Sequence, residues 1–226
     1  MVAEIIVALD VSSEDEALHL IDRLPDLRWA KIGPMLFLRA GTAVIKALKD
    51  RGVKVFLDLK WYDIPSAVSG AVEAALELGV DLATVHALGG AEMLRVAAKA
   101  KGSMRLAAVT VLTSYTPESF SEAVGRNTIE LHREVSRLAR VAVTSGIGAV
   151  VVSPWELGTM RSAVPKGTWL VVPGIRSPGA EIGDQRRTAD PRSAAEAGAT
   201  HLVIGRPIVR SDQPGVVYQQ ICETIG

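Results

Sequence analysis

Three charged residues stand close together in the sequence and could form a catalytic site. Asp58, Lys60 and Asp63 follow the pattern Asp-x-Lys-x-x-Asp at the end of a strongly apolar segment, 53–60. Alternate side chains of a strand face the same way, so Asp58 and Lys60 are predicted to share one face. Burying such charges is costly unless they pair. The pattern therefore predicts a preorganised electrostatic site, and a structural ion-pair network is the alternative.

Short apolar segments must position these residues, and each of them is a strand candidate. Amphipathic segments with helical spacing lie between them, including 12–24, 41–52, 64–79 and 188–199. Strands that are apolar on both faces and alternate with helices indicate a parallel sheet covered by helices. The strand candidates are 5–10, 29–33, 53–60, 81–87, 105–112, 149–153, 169–175 and 201–205.

Eight strand–helix units in 226 residues predict an α/β fold of the (β/α)8 TIM-barrel type. Residues 1–226 are expected to form a single domain, since barrels of this size commonly do. A doubly wound open sheet is the alternative, although no GxGxxG motif follows the first strand. The long polar segment 113–127, after the fifth strand, is predicted to be a loop that could move over the site.

Composition and charge exclude several classes of function. The chain has 25 basic and 25 acidic residues, so no general electrostatic attraction to nucleic acid or to an anionic membrane is expected. Cys222 is the single cysteine, which rules out an intrachain disulfide and favours a reducing, cytoplasmic location. The four histidines are far apart, and no metal site is predicted. The apolar segment 5–9 is too short for a signal peptide or a membrane span.

Polar residues accumulate at the predicted C-terminal ends of the strands, where the active site of a barrel lies. Asp10, Lys31, Asp58 and Lys60 all end apolar segments there. Taken singly, Asp10 could cap a turn and Lys31 could neutralise a neighbouring carboxylate. His86, at the end of the fourth strand, could be a hydrogen-bonded core histidine. Together the four charged residues predict one shared site.

Two glycine-rich segments, 173–187 and 203–209, follow the seventh and eighth strands. Loops at these positions form the usual phosphate site of such barrels, because glycines let backbone N–H groups approach the phosphate and a following helix N-terminus adds its dipole. Arg206 could clamp the phosphate with two hydrogen bonds, and Arg176 and Gln185 could complete the site. The alternative is that these are ordinary loop glycines beside solvated arginines.

Taken together, these motifs resemble those of the orotidine 5′-phosphate decarboxylase family over essentially the whole chain. LDLKWYDIP combined with PGIR, GDQRR and IGRPI is highly specific, whereas VALD or IGRP alone would be weak. The matching segments, in family order, are VALD (7–10), KIG (31–33), LDLKWYDIP (57–65), VHALGG (85–90), VTVLTS (109–114), PGIR (173–176), GDQRR (183–187) and IGRPI (204–208).

The resemblance implies a cofactor-free decarboxylation of orotidine 5′-phosphate to UMP and CO2, with Lys60 protonating C6 of the pyrimidine. It implies that Asp58 and Lys31 complete the charged array and contact the ribose. Asp63 and Ile64 would reach into the neighbouring subunit of a homodimer, so that the active sites are shared. The other substrate-binding positions that it implies are Asp10, Thr113, Pro173, Arg176, Gln185, Gly205 and Arg206.

One position departs from the family pattern, and two other functions stay open. Ala67 stands where the family usually has a substrate-binding threonine, so a hydroxyl contact is missing unless Ser66 supplies it. Metal-dependent sugar-phosphate relatives keep the Asp-x-Lys-x-x-Asp pattern but typically carry a magnesium-binding glutamate at position 31, where this chain has lysine. A catalytically silent nucleotide-binding barrel is the other alternative, against which the intact Lys60 argues.

Overall fold

The computed structural model, which describes residues 2–176 and 187–226, is a closed barrel of eight parallel strands. Each strand pairs with its neighbour in sequence, and the first pairs with the last. The predicted (β/α)8 barrel is therefore confirmed, and an open sheet is excluded. The strands are β1 (Glu4–Ala8), β2 (Trp29–Ile32), β3 (Lys54–Trp61), β4 (Leu82–His86), β5 (Arg105–Val109), β6 (Ala149–Val151), β7 (Trp169–Val172) and β8 (His201–Ile204).

Helices follow the strands and cover the outside of the barrel. Short 3₁₀ helices at Ala87–Gly89 and Pro154–Glu156 precede two of them. The α-helices are α1 (Glu14–Ile21), α2 (Pro34–Ala40), α3 (Ala43–Asp50), α4 (Pro65–Glu77), α5 (Gly90–Ala100), α6 (Pro117–Ala123), α7 (Leu131–Thr144), α8 (Leu157–Ala163), α9 (Pro191–Glu196), α10 (Arg206–Val209) and α11 (Pro214–Ile225).

All eight predicted strands are present, but β5 and β7 end three residues before their predicted ends. Val111 and Leu112 after β5 and Pro173 after β7 line the mouth of the barrel instead. Ile175, by contrast, is buried in the core and forms a bridge with Ala189.

The segment 113–127 is not simply a loop, because it contains α6. This helix begins with a capping box formed by Thr116 and Ser119, and it buries Phe120. Capping and burial together outweigh the polar composition that suggested a loop.

The interior of the barrel explains why functional side chains gather at one end. An apolar cluster more than one layer deep fills it, and the side chains alternate between the barrel interior and the surrounding helices. Continuing that alternation by two residues places Asp10 after Ala8 and Asp58 after Phe56 at the C-terminal mouth. The residues of this interior cluster are Ile6, Ala8, Trp29, Phe56, Leu82, Ala107, Ala149, Val171 and Val203.

An aromatic cluster closes the opposite, N-terminal end of the barrel. The His201 ring lies 4.2 Å from the Trp169 ring and 5.7 Å from the Trp29 ring, measured between centroids. Burial is the main cause that lowers the pKa of His201 to about 4. This end of the barrel is therefore a packed aromatic plug, against which Lys54 and Arg105 place their charges on the Trp29 and Trp169 rings.

No helix within residues 2–176 and 187–226 combines the length and the apolar character that crossing a membrane requires.

Candidate active site

A cavity of about 680 Å³ opens at the C-terminal mouth of the barrel. The resemblance and the strand-end pattern predicted nine of the 21 described residues around it, including six of its seven charged residues. The barrel closure brings these residues together although they are spread over the whole sequence. The predicted site residues that line the cavity are Asp10, Lys31, Asp58, Lys60, Thr113, Pro173, Arg176, Gly205 and Arg206.

Charges of alternating sign form one wall of this cavity. Lys60 Nζ lies 2.9 Å from Asp58 Oδ1, and Lys31 Nζ lies 3.6 Å from Asp58 Oδ2. The Lys31 ammonium also donates a hydrogen bond of 3.2 Å to Asp10 Oδ1. Asp58 therefore sits between two ammonium groups, and Lys31 sits between two carboxylates. These ion pairs hold the four side chains together, and all four side chains line the cavity.

Asp58 is held in its charged form by this network. Its side chain is 13% exposed. Burial acts to raise its pKa, but the charges of Lys31 and Lys60 and the hydrogen bonds from Lys60 and Thr84 outweigh burial, so the pKa of Asp58 lies below its ordinary value. A buried carboxylate that stays ionised is a fixed negative charge, and here it positions the lysine beside it.

The backbone of Lys60 is unusual. Lys60 has φ of +51°, a left-handed conformation that costs a non-glycine residue about 1–3 kcal/mol. It lies in a β-bulge. Leu57 pairs with Ala83 and Trp61 pairs with Val85, so between these pairs the chain advances four residues in β3 but only two in β4. Strained backbone of this kind is concentrated at functional sites, where the surrounding structure maintains it.

Glycines leave the space that the charged wall needs. A Cβ atom at Gly33 would lie 3.3 Å from Lys31 Nζ and 3.5 Å from Asp10 Oδ1. A Cβ atom at Gly205 would lie 3.4 Å from the Cβ of Ala8 and 3.5 Å from Asp10 Oδ2. A side chain at Gly33 would crowd the Lys31 ammonium, whereas one at Gly205 would make ordinary van der Waals contacts and fill space beside Asp10.

The rest of the cavity combines an apolar wall with positive charge. Phe56, Val109, Val151 and Val171 are among the apolar lining residues. Five basic and two acidic side chains line the cavity, which gives it a net formal charge of +3, although the whole chain is neutral. The cavity therefore suits a small anionic ligand that also has an apolar face.

On the side of the cavity where phosphate is predicted to bind, the positive charge comes from arginine side chains rather than from a helix dipole. Arg206 begins α10, which has only four residues, so few peptide dipoles add at its N-terminus. Arg210, one turn further along, also lines the cavity. Its spacing of four residues from Arg206 is the signal that could have identified it from the sequence. Gln185, the other predicted residue here, lies outside the described residues.

Asp63, Ile64 and Ala67 do not line the cavity of their own chain. All three are exposed, and Ile64 is 66% exposed. The Asp63 carboxylate accepts a 2.6 Å hydrogen bond from the Ile64 backbone N–H, which fixes the turn between β3 and α4. An exposed isoleucine on a fixed turn is compatible with the predicted contact to a second subunit.

His86 lies at the edge of the site. Its ring stacks on Tyr62 with centroids 5.8 Å apart, and its Nδ1 accepts a hydrogen bond from the Leu88 N–H. Burial, and then the charge of Lys60, lower the pKa of His86. These contacts cap the 3₁₀ helix Ala87–Gly89 and pack the His86 ring against Tyr62.

A buried ion pair ties two loops of the site together, and the sequence did not reveal it. Arg187 pairs with Glu156, and its Nη2 donates a 3.0 Å hydrogen bond to the Leu112 carbonyl. Glu156 in turn accepts a hydrogen bond from the Ser153 hydroxyl. The pair thus connects the end of β6 and the segment before α9 to the residue preceding Thr113. Within the described residues, no group of three His, Cys, Asp or Glu side chains could hold a metal ion.

Comparison with known proteins agrees with this geometry. The model of the "Orotidine 5'-phosphate decarboxylase / HUMPS family" matches residues 3–221. The chain is 41% identical to an orotidine 5′-phosphate decarboxylase from a Synechococcus strain, and the match covers 98% of this chain and 95% of the relative. It is 42% identical to the enzyme of the same name from Pasteurella multocida, with 98% and 97% covered.

Solved structures give the same result. The crystal structure of orotidine 5′-phosphate decarboxylase from Lactobacillus acidophilus superimposes with a TM-score of 0.88 at 33% identity and covers 99% of both chains. An uncharacterized conserved protein from Geobacillus kaustophilus superimposes with a TM-score of 0.86 at 28% identity, covering 98% of this chain and 100% of that one.

Proposed function

The chain belongs to the orotidine 5′-phosphate decarboxylase / HUMPS family, and we propose that it is a carboxy-lyase of pyrimidine biosynthesis. Its substrate is orotidine 5′-phosphate and its products are UMP and CO2. Lys60 donates the proton, and Asp58, Lys31 and the partner subunit's Asp63 complete the charged array. The observation that carries this proposal is the Lys60 ammonium, held 2.9 Å from Asp58 at the wall of the cavity.

The charge of the cavity supports this substrate. A phosphate monoester carries about −1.5 to −2 at pH 7, and the orotate carboxylate adds one further negative charge. The cavity lining has a formal charge of +3, which complements that total. Arg176 and Arg206, with Gly205, are proposed to bind the phosphate, while Asp10 and Lys31 contact the ribose hydroxyls. Thr113 and Pro173 are proposed to contact the pyrimidine, and Gln185 the substrate.

The chemistry needs a cation at one carbon atom. When the bond between C6 and the carboxylate carbon breaks, its electron pair stays on C6 and CO2 leaves. The ring offers no adjacent electron sink, so the protein must stabilise this charge electrostatically. The Lys60 ammonium does so and transfers its proton to C6, which forms UMP. Lys60 then regains a proton from solvent.

The surroundings of Lys60 strengthen this effect. The apolar wall excludes water, and electrostatic interactions are stronger where the local dielectric is low. Asp58 keeps the ammonium in place without needing to move during the reaction, because it is already ionised and bonded. Binding of the phosphate at the far side of the cavity can supply free energy that orders the site around the pyrimidine.

The charged wall also favours a reaction without a metal ion. The Lys31 ammonium lies between Asp10 and Asp58, within 3.2 Å and 3.6 Å of their carboxylates. A divalent cation would have to displace this ammonium or approach it closely. We propose that Lys31 fills the position that a metal ion occupies in the sugar-phosphate relatives, and that neither a metal nor an organic cofactor takes part.

The proposed active unit is a homodimer with shared sites. Asp63 and Ile64 are exposed on the turn between β3 and α4 and do not line their own cavity. In the dimer they would complete the partner's site, and Ala67 would lie nearby without the hydroxyl of the family threonine. We also expect a cytoplasmic location, because the lone Cys222 is unpaired and the pathway is biosynthetic.

The test is an assay of purified protein with orotidine 5′-phosphate, in which the loss of substrate absorbance is followed with excess EDTA present. We expect full turnover to UMP and CO2. Turnover that requires added magnesium would support a metal-dependent sugar-phosphate enzyme instead. Tight UMP binding without turnover would identify a catalytically silent barrel.

A further inference from the structure

Thr84 is a buried residue of β4 that touches the charged wall at two points. It is 1% exposed. Its Oγ1 accepts a 2.8 Å hydrogen bond from the Lys60 backbone N–H, and its hydroxyl donates a 3.1 Å hydrogen bond to Asp58 Oδ1. Asp58 Oδ1 is the same oxygen that accepts from the Lys60 ammonium. One hydroxyl therefore contacts both partners of the central ion pair.

The position of Thr84 follows from the register of the barrel. Phe56 pairs with Leu82, and both belong to the apolar interior cluster. Two residues further along each strand are Asp58 and Thr84, which consequently lie side by side. Beyond this point β3 bulges, so the Lys60 N–H leaves the regular ladder of β3 and β4. The Thr84 hydroxyl takes the place of the missing ladder carbonyl.

The hydrogen bond from the Lys60 N–H to Thr84 affects the direction of the Lys60 side chain. Lys60 adopts φ of +51°, which residues with a side chain rarely do unless the surroundings enforce it. The hydrogen bond to its backbone N–H is a specific contact at that strained residue. The second bond from the same hydroxyl keeps the Asp58 carboxylate turned towards the ammonium.

We propose that Thr84 is a positioning residue that aims the Lys60 ammonium at the reacting carbon by fixing both the Lys60 backbone and the Asp58 carboxylate. It does not touch the substrate and is not a catalytic residue. The proposal rests on the proposed role of Lys60 in decarboxylation. It predicts that the hydroxyl of Thr84 contributes to the chemical step and little to substrate binding.

The test compares Thr84→Val, which removes the hydroxyl but keeps the shape, with Thr84→Ser, which keeps the hydroxyl. Losing a hydrogen bond to a charged group typically costs a factor on the order of 10 to 100. We expect Thr84→Val to lower kcat by that factor while KM and UMP affinity change less than about threefold. Thr84→Ser should restore kcat to within about threefold of the wild type.

Thr200→Val is the matched control. Thr200 precedes β8 at the opposite end of the barrel. Its Oγ1 accepts a 2.9 Å hydrogen bond from the Leu170 N–H, and its hydroxyl donates a 3.1 Å hydrogen bond to the Leu170 carbonyl. Its replacement removes one accepted and one donated bond away from the charged wall, so it should lower stability while kcat is retained. If both valine variants lower kcat equally, Thr84 has only a general structural role.

The outcomes separate this proposal from the proposed function. A wild-type kcat in Thr84→Val, beside an active wild type, would overturn the positioning role alone. A wild type that does not turn over orotidine 5′-phosphate would overturn both. If Thr84→Val does not fold, Thr84→Ala is compared with Thr84→Ser, and equal kcat in these two variants would also refute the role of the hydroxyl.

Discussion

Lys60 Nζ lies 2.9 Å from Asp58 Oδ1, although the two residues are separated by a bulge that changes the course of the strand between them. The ion pair forms across the bulge because Lys60 takes a left-handed backbone conformation and its backbone N–H donates a hydrogen bond to Thr84. The ammonium is thus directed by its neighbours before any substrate binds. Such preorganisation is what an electrostatic mechanism requires, since no reorganisation is then needed during the reaction.

Arg206→Ala tests the phosphate side of the cavity. The guanidinium is proposed to bind the phosphate through charge-assisted hydrogen bonds, each worth on the order of 1.5–3 kcal/mol. We expect the affinity for UMP to fall by about 100-fold, while the affinity for uridine changes less than about threefold. Calorimetric titration of both ligands measures this. Arg95→Ala, on the exposed face of α5, is the control, and equal losses for UMP and uridine would refute the phosphate role.

Mixing two inactive variants tests the shared site. Lys60→Ala lacks the acid and Asp63→Ala lacks the residue proposed to cross the interface. In a random mixture half of the dimers are mixed, and each contains one intact site, so about a quarter of the wild-type activity is expected. Subunit exchange is verified by mass spectrometry of differently labelled chains. No recovery after complete exchange would show that the sites are not shared.

His201 makes stability depend on pH, independently of the active site. Burial, the largest cause, lowers the pKa of His201 from 6.5 to about 4, so the unfolded chain binds a proton before the folded one does. The stabilisation is complete above pH 6.5 and is lost as the pH falls towards 4, and it amounts to on the order of 3 kcal/mol.

Urea unfolding of His201→Phe at pH 7.5 and pH 4.5 measures this contribution. The phenyl ring keeps the packing against Trp29 and Trp169 but cannot titrate. We expect the free energy of unfolding to fall less between the two pH values in the variant than in the wild type. His19→Phe, at an exposed position of α1, should behave as the wild type does. An unchanged pH dependence in His201→Phe would contradict the assignment.

The sequence was sufficient to predict the barrel and six of the seven charged residues that line the cavity, and the reason is physical. Strands that alternate with helices allow few topologies, and a two-residue period places Asp10, Lys31 and Asp58 at one end of the barrel. Thr84 and the ion pair of Glu156 with Arg187 could not be predicted in this way. Their roles depend on the bulge in β3 and on contacts between distant loops, which local patterns do not encode.

The boundaries of the strands and helices were also only partly predictable from local sequence patterns. The predicted end of β5 lies three residues beyond the observed end, because an apolar residue looks the same in the sequence whether it lines a cavity or lies in a strand. Segment 113–127 was interpreted from its polarity, whereas the burial of Phe120 decides its structure. The roles of all the predicted site residues stay predictions, and those of Asp63, Ile64 and Ala67 depend in addition on a second subunit.

The most direct test of the mechanism is the single-turnover rate of Lys60→Ala with orotidine 5′-phosphate, beside Lys46→Ala as a matched control on the exposed face of α3. Removing the acid and its charge should lower the rate by at least about 10³-fold, while the variant stays folded and still binds UMP. Lys46→Ala should be as active as the wild type. A Lys60→Ala rate within about tenfold of the control would contradict the assignment of Lys60 as the proton donor.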